Sequence, residues 1–463
     1  MTRAMVTVAA LLLLGGSMVR PERPDTARIR IHPGNPFHWE YAGEPLLLLG
    51  GSSEDNLFQV PEVLEELDAL AEAGGNYVRC TMSSRDEGNA WPFVRDEDLY
   101  DLTRLNPEYW RRFETFLDAT EERGIIVQIE LWATFDFYRG NWARNPFNPA
   151  MNINYSAEES GLPVEVNSHP VKTENPFFWS VLAEDDRRVV LRHQERFVDE
   201  VLARALPHAN VLYCMDNETS VTPEWGRYWS EYVKRAAAEA GVSVQTTEMW
   251  DPHDLDHPMH RATFDHPETY SFVDISQNNH NTGRAHYEGA LKVRRMLAET
   301  TPRPMNCVKT YGADTGRYGS TRDGAERFWR NIFAGVAAVR FHRPGSGIGA
   351  SDLALRMVRS AREVTDALDL VRCQPAPELL DAAGDKEVYC LAEPGRQYAL
   401  YFPAPNQATL DLSDAPQAMG MRWYDIDGGT WREAEPLGGG TPVALQPPGE
   451  GQWAAVVTAR RER

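Results

Sequence analysis

Residues 211–218 read Val-Leu-Tyr-Cys-Met-Asp-Asn-Glu, an apolar run that ends on the polar pair Asn217 and Glu218. Five consecutive apolar residues are typical of a strand buried on both faces, as in a parallel sheet. In a parallel barrel, side chains at the carboxyl ends of the strands surround the reaction site. The stretch therefore predicts a barrel strand with Asn217 and Glu218 at such a site.

Seven further strands, alternating with helices, are predicted around this one. The strands cover residues 46–50, 76–82, 124–131, 242–247, 272–277, 304–309 and 338–342, and the helices cover residues 60–73, 109–122, 187–205, 225–240, 287–300, 321–334 and 350–371. This alternation predicts an α/β fold, a (β/α)8 TIM barrel, over residues 28–373. Short alternating runs between Gly, Pro and Asp turns predict a small C-terminal antiparallel β-sandwich over residues 374–463.

The first 20 residues are predicted to be a signal peptide. Arg3 precedes an uncharged apolar stretch at residues 5–14, and small residues follow at 15–17. A cationic start, an apolar stretch too short to span a bilayer and small residues suited to cleavage are typical of a secretory signal. No later stretch predicts a membrane span, so the sequence indicates a secreted or periplasmic protein.

Charge and cysteine content exclude several classes of partner and cofactor. A net charge of −21 argues against binding to nucleic acid or an anionic membrane, since both attract basic patches. Five cysteines in 463 residues do not make a disulfide framework, although Cys373 and Cys390 could pair. Dinucleotide, P-loop and metal-ligand motifs are missing from the sequence, so we predict neither a cofactor nor a metal. The oligomeric state is left open.

The pair Asn217 and Glu218 resembles the end of the fourth strand in the large clan of retaining (β/α)8-barrel glycoside hydrolases. Most of the chain looks like the apiosidase-like branch of that clan, and residues 423–431 resemble its C-terminal sandwich, sometimes described as a collagen-binding module. The resemblance implies a glycoside hydrolase acting on a polysaccharide or oligosaccharide. It also implies that Glu218 is the general acid/base and that Asn217 binds the sugar 2-hydroxyl.

The carbohydrate substrate is expected to contact residues at the other strand ends. These residues are Arg79, Glu130, Trp132, Trp250, Asn279, His280, Lys309, Tyr311 and His342. The loop after the third strand, residues 132–185, is much longer than usual. It predicts a lid or a substrate-binding wall.

One position departs from the pattern of the clan, which places a nucleophilic Glu at the end of the seventh strand, where this chain has Lys309. Another carboxylate is expected to replace it. The candidates, in order of preference, are Glu248, Asp251, Asp314 and Glu130. In this hypothesis Lys309 holds Glu248 ionised while Glu218 keeps its proton, which gives the two carboxyls the different pKa values that acid/base catalysis requires.

Two alternatives to hydrolysis remain. In a polysaccharide lyase, Arg79, Lys309 or His342 would neutralise the carboxylate of a uronic acid while a Tyr or His acted as base. A barrel that has lost its nucleophile could instead bind a glycan without cleaving it. Unsaturated products would identify the lyase, and binding without products would identify the binding protein.

Overall fold

The computed structural model describes residues 27–168, 175–182, 187–382 and 386–459. The predicted signal peptide, residues 1–20, lies outside these ranges. Within them, every helix is too short or too polar to cross a membrane.

Eight parallel strands form the central sheet, and each is followed by a helix. In chain order, barrel strands 1 to 8 are Leu48–Gly51, Tyr77–Thr81, Ile126–Ala133, Val211–Asn217, Thr246–Thr247, Val273–Asp274, Met305–Thr310 and Ala338–Phe341. Their order in the sheet is 5-4-3-2-1-8-7-6, so neighbours in sequence are neighbours in space. Between strands 5 and 6, the Phe272 N–H donates to the Thr246 carbonyl at 3.5 Å and the Thr247 hydroxyl donates to the Phe272 carbonyl at 2.8 Å. The predicted (β/α)8 barrel is confirmed.

The surrounding helices bury one apolar face each against the sheet. They are Val63–Glu72, Pro107–Glu122, Arg188–Ala205, Pro223–Glu239, Pro258–Phe264, Gly283–Glu299, Thr321–Phe333 and Asp352–Thr365. The second of them shows why such helices start where they do. Asn106 caps it by accepting from the Glu108 N–H, and Pro107 occupies the first turn, where its missing N–H leaves no bond unmade.

Several elements differ from the sequence prediction. Barrel strands 5 and 6 are each two residues long rather than six. Helix Pro258–Phe264 was not predicted, because seven residues carry less than two turns of periodicity. A hairpin of strands Phe93–Asp96 and Leu99–Leu105 stands in the connection after barrel strand 2. These elements alter the walls of the barrel and leave the order of its strands unchanged.

Trp39, on the N-terminal strand Trp39–Tyr41, fills the amino-terminal end of the barrel interior. Its indole N–H donates to Asn306 Oδ1 at 3.0 Å, and Asn306 Nδ2 donates to the Tyr77 hydroxyl at 3.2 Å. The Tyr77 hydroxyl in turn donates to Gln128 Oε1 at 2.6 Å. These hydrogen bonds pair most of the polar atoms buried at this end of the barrel. The open space of the barrel lies at the opposite end, where the strands finish.

The C-terminal region consists of two antiparallel sheets. One contains Gln374–Pro375, Tyr389–Glu393, Gln397–Phe402, Trp453–Ala459, Ala418–Asp425, Thr430–Trp431 and Glu435–Gly438, and the other contains Leu380–Ala382, Ala408–Leu410 and Val443–Leu445. Their inner faces share a core that includes Leu400, Leu410 and Trp423. The predicted antiparallel β-structure is confirmed.

The sandwich packs on the barrel through helix Thr321–Phe333. Trp329 stacks on Tyr401 with ring centroids 5.5 Å apart, and Arg330 Nη2 lies 2.8 Å from Glu387 Oε2. Both aromatic side chains belong to one apolar cluster that extends from the barrel helices into the sandwich. The contact buries core residues of the barrel and of the sandwich together, which fits a supporting role for the sandwich. All five cysteines are buried free thiols, Cys373 and Cys390 included.

Candidate active site

A cavity of about 540 Å³ lies at the carboxyl ends of the barrel strands. Each of the eight strands contributes lining residues, either from its carboxyl end or from the loop that follows it. The volume is in the range of small-ligand sites. Its charged groups are three carboxylates and five cations: Asp55, Glu218 and Asp251, with Arg79, Arg85, Lys309, Arg317 and Arg343. The lining is therefore polar and rich in cations, although the whole chain is acidic.

Glu218 follows barrel strand 4 directly and has a strained backbone. Its φ of 59° lies in the left-handed region, which residues with a Cβ rarely adopt. Such strain costs about 1–3 kcal/mol and persists where the surrounding structure enforces it, most often at functional sites. The side chain is 17% exposed and lines the cavity.

Lys309, from barrel strand 7, forms an ion pair with Glu218. Its Nζ lies 2.6 Å from Glu218 Oε1, and the lysine side chain is almost completely buried. Burial alone would raise the pKa of Glu218, but the charge and hydrogen bond of Lys309 outweigh it and lower that pKa below its usual value. Glu218 is therefore ionised at neutral pH. This differs from the expectation that Lys309 pairs with Glu248 and leaves Glu218 protonated.

Asn217 lies beside Glu218 with an unsatisfied acceptor. Its side chain lines the cavity, and its Oδ1 is buried without a hydrogen-bond partner. A buried amide oxygen without a partner costs about 1–3 kcal/mol. A hydroxyl of a bound ligand would satisfy it.

Asp55, after barrel strand 1, is surrounded by basic side chains. Its Oδ1 lies 2.9 Å from Arg79 Nη1, and its Oδ2 lies 3.3 Å from Arg343 Nε and 3.7 Å from Arg85 Nη2. Burial would raise the pKa of Asp55, but Arg79 and the other bases hold it well below the usual value. Asp55 is thus a fixed anion that orients the arginines around one wall of the cavity.

His342 contacts this group as a neutral ring. Its Nδ1 accepts from the Arg343 N–H at 2.8 Å, so that nitrogen carries no proton, and burial lowers the pKa of His342 well below its usual value. Across the cavity, the rings of His253 and His280 stack with centroids 3.5 Å apart. Burial, followed by the neighbouring His253, lowers the pKa of His280 to about 4.

Asp251 follows barrel strand 5 and differs from the other two carboxylates. Burial, and next the charge of Glu218, raise the pKa of Asp251 to about 6. Among the described residues it lies in no ion pair with Lys, Arg or His. The cavity therefore holds one carboxyl that keeps its proton in mildly acidic solution beside one that does not.

Seven of the residues predicted for the site line the cavity: Arg79, Asn217, Glu218, His280, Lys309, Tyr311 and His342. The other five do not line it: Glu130, Trp132, Glu248, Trp250 and Asn279. Glu130 lies behind the wall, inside the barrel, where its Oε1 is 2.7 Å from Arg79 Nε and both side chains are fully buried.

Glu248 points away from the cavity, toward helix Pro223–Glu239. Its Oε1 accepts from the N–H groups of Asp216 at 3.1 Å and Met249 at 3.0 Å, and from the Thr219 hydroxyl. A Cβ on Gly226 of that helix would lie 2.3 Å from Glu248 Oε2. In this structure Glu248 joins the ends of strands 4 and 5 and does not line the cavity, and its pairing with Glu218 stays a prediction.

Three other residues that were predicted to contact substrate also point toward the surrounding helices. Trp132 packs against Phe197 and Trp229, and the Trp250 indole donates to the Thr263 hydroxyl at 2.8 Å. The Asn279 side chain contacts His286 on helix Gly283–Glu299. These residues hold helices on the barrel. From the long loop after strand 3, Phe135 and Asn141 reach the cavity, which gives that loop the position of a wall.

Besides Asp251 and the two residues of the long loop, seven lining residues had no assigned contact with substrate: Asp55, Arg85, His253, Arg317, Tyr318, Arg343 and Ser346. Asp55 and Arg343 follow strand ends and were open to prediction, whereas the other five lie on loops that sequence periodicity does not place. In the described ranges, no group of three His, Cys, Asp or Glu side chains is arranged to hold a metal ion.

No family model and no curated protein matches this chain. Solved structures share its fold. A glycoside hydrolase family 5 protein from Bacteroides vulgatus matches 94% of this chain and 94% of its own length, with a TM-score of 0.63 and 11% identity. A putative glycoside hydrolase from the same organism covers 94% of this chain and 83% of its own, with a TM-score of 0.58 and 14% identity.

A third similar structure is a glycoside hydrolase family 5 mannosidase from Rhizomucor miehei. It covers 73% of this chain and 97% of its own length, with a TM-score of 0.51 and 11% identity. At these identities the likeness shows the shared fold alone.

Proposed function

We propose that this protein is an exported glycoside hydrolase that cleaves a polysaccharide or oligosaccharide, with Glu218 as one of two catalytic carboxyls and Asn217 as a ligand for a sugar hydroxyl. The observation that carries the proposal is the strained, ionised Glu218 beside the unpartnered Asn217 Oδ1 at the carboxyl end of a barrel strand. The glycoside hydrolases among the structures of like fold support it. The apiosidase-like substrate class remains a prediction from the sequence.

The ion pair with Lys309 decides which half of acid/base chemistry Glu218 performs. Hydrolysis of a glycosidic bond takes one protonated carboxyl for the leaving oxygen and one ionised carboxylate as base or nucleophile. A carboxylate 2.6 Å from a buried ammonium is the ionised member. Because Lys309 stands where the clan has its nucleophile, the second carboxyl must come from another strand end.

A polysaccharide and oligosaccharide panel tests the proposal, with reducing ends as the measured product. Glu218→Gln should lower turnover by roughly 10²–10⁴-fold, the range for loss of acid or base assistance. Glu248→Gln is the matched control, since this carboxylate lies outside the cavity. If Glu218→Gln retained wild-type activity on a cleaved glycan, the role assigned to Glu218 would be wrong.

The cations of the cavity favour a lyase as the second candidate. Five cations face three carboxylates, and among the described residues Arg317, an exposed side chain, forms no ion pair with Asp or Glu. Arginine suits recognition of a planar carboxylate, such as that of a uronic acid. Ultraviolet-absorbing unsaturated products from uronate glycans would identify elimination, whereas tight binding without any product would identify a binding protein.

Export is tested separately. We expect the N-terminus of protein recovered from the periplasm or medium to begin shortly after Ser17, where small residues follow the apolar stretch. Full-length protein retained in the cytoplasm would contradict export and leave the enzymatic proposal intact.

A further inference from the structure

We infer that Asp251 is the catalytic proton donor of this site and that Glu218, paired with Lys309, is the ionised carboxylate that acts with it. This inference rests on the proposed function, glycoside hydrolysis. It moves the acid from the end of barrel strand 4, where the sequence resemblance places it, to the loop after barrel strand 5.

The three cavity carboxylates differ in their ion pairs with basic side chains. Asp55 contacts Arg79, Arg85 and Arg343, and those contacts leave it no freedom to carry a proton. Glu218 is engaged by Lys309. Asp251 is the remaining carboxylate of the lining, and within the described ranges no basic side chain lies within 4.0 Å of it. A proton donor must be able to hold its proton, and this condition selects Asp251.

Backbone hydrogen bonds place Asp251 beside the residue that follows Glu218. Beyond the ends of strands 4 and 5, the Thr219 N–H donates to the Met249 carbonyl at 2.7 Å and the Asp251 N–H donates to the Thr219 carbonyl at 3.0 Å. Thr219 and Trp250 form a parallel bridge. Strands 4 and 5 therefore stay hydrogen-bonded to each other as far as Thr219, the residue after Glu218. Asp251, on the loop that continues strand 5, lies beside Thr219.

Side chains alternate in direction along residues 248–251. Glu248 and Trp250 face the helices, through Gly226 and Thr263. Met249 belongs to the apolar cluster inside the barrel, and Asp251 lines the cavity. Successive side chains of an extended segment point to opposite faces. The same alternation that turns Glu248 outward thus turns Asp251 inward.

The surrounding charges complete the assignment. Burial and then Glu218 raise the pKa of Asp251 to about 6, while Lys309 and Arg317 act in the opposite direction. His253, also on this loop, is kept largely neutral, because burial lowers its pKa. The negative charge of Glu218 therefore helps Asp251 to keep its proton, and Lys309 keeps Glu218 ionised. Two carboxyls with different pKa values are the condition for acid/base work.

The proposed step consumes one water molecule. The bond between the anomeric carbon and the glycosidic oxygen breaks, its electron pair stays on that oxygen, and the oxygen takes the proton of Asp251. The oxygen of water bonds to the anomeric carbon, and Glu218 accepts the proton that this water loses. Transfer of a proton from Glu218 to Asp251 through solvent restores both groups.

Leaving-group dependence tests the inference, since an activated leaving group departs without a proton. The probes are paired methyl and dinitrophenyl glycosides of common hexoses and pentoses. Asp251→Asn should lose roughly 10²–10⁴-fold in kcat/KM on the methyl glycoside, the full value of acid assistance. On the dinitrophenyl glycoside its loss should be less than about tenfold. Glu218→Gln, the matched control, should lose activity on both probes.

The outcomes separate failure of the inference from failure of the function. Equal losses for Asp251→Asn on both probes, or no loss on either, would overturn the role of Asp251 while wild-type hydrolysis upheld the proposed function. Absence of wild-type hydrolysis on both the probes and the polysaccharide panel would overturn both. Unchanged thermal unfolding of Asp251→Asn shows that a loss of activity is chemical, and the variant should also lose the alkaline limb of the pH profile.

Discussion

Lys309 Nζ and Glu218 Oε1 lie 2.6 Å apart, joining the ends of barrel strands 7 and 4 across the cavity. In the clan that the sequence resembles, these two positions are a nucleophile and an acid. Here a cation occupies the first position and fixes the second as an anion. The ion pair therefore keeps Glu218 unprotonated.

Replacement of Lys309 should shift the acidic limb of the pH profile. Lys309 opposes the effect of burial and lowers the pKa of Glu218, so Glu218 stays ionised and active down to a pH below the usual range for Glu. In Lys309→Met, burial is opposed only by the weaker effect of Arg79 and the pKa of Glu218 rises, so activity should disappear at a higher pH as the solution is acidified. The measurement is kcat/KM against pH, and Lys309→Arg, which keeps the charge, is the control. An acidic limb that is identical in all three proteins would contradict this reading of the pair.

Activity should decline in alkaline solution from about pH 6. Asp251 donates a proton, and its pKa is raised to about 6 by burial and by Glu218. Above that value the donor is ionised, and kcat/KM should fall about tenfold for each further pH unit. A profile between about pH 4 and pH 8 measures this. A constant rate across neutrality would show that a group of higher pKa provides the proton.

Glu248→Gln should retain activity within about tenfold of the wild type. The side-chain oxygen of Gln can accept from the N–H groups of Asp216 and Met249 as the carboxylate does. Its NH2 group would lie toward the Tyr270 hydroxyl, which is buried without a partner. Steady-state kinetics beside Glu218→Gln provide the comparison. A loss as large as that of Glu218→Gln, in a protein of unchanged melting temperature, would return Glu248 to the catalytic pair.

Trp132→Ala should destabilise the fold by about 3–5 kcal/mol, the usual effect of removing a large buried aromatic side chain. Trp132 lies 3% exposed among Phe197, Trp225 and Trp229. Urea unfolding measures the change. Phe135→Ala is the matched control: Phe135 lines the cavity, so its removal should raise KM with a smaller effect on stability. The reverse pattern would place Trp132 at the substrate.

The barrel could be predicted from the sequence because strands buried on both faces and amphipathic helices differ in period and length. Barrel strand 5 shows the limit: the predicted strand 242–247 pairs over Thr246–Thr247 only. Propensity identifies an extended segment, but the contacts of neighbouring strands decide how much of it joins the ladder. The hairpin after strand 2 was missed because its strands mix apolar and polar residues without the regular alternation that identifies a half-buried strand.

The site was predictable as a set of strand ends but not in the direction of each side chain. Glu218 and Lys309 line the cavity, and so does Asp251, a candidate ranked below Glu248. A register error of one residue exchanges the two faces of a strand. Because Glu248 follows a strand of only two residues, Thr246–Thr247, residue alternation does not distinguish its outward face from the inward face of Asp251.

The join between barrel strands 5 and 6 has a mechanical consequence. Among the described residues, one backbone hydrogen bond of 3.5 Å spans it, together with bonds of the Thr246, Thr247 and Ser271 hydroxyls, whereas the ladder between strands 3 and 4 runs from Val127 to Ala133. Amide protons near such a gap exchange through small openings, at a lower free energy than those of the paired strands. The loop that carries Asp251 begins at this gap, yet the Asp251 N–H is anchored to Thr219 on the opposite side. A small opening at strand 6 would therefore leave intact the backbone hydrogen bond that holds Asp251 beside Thr219.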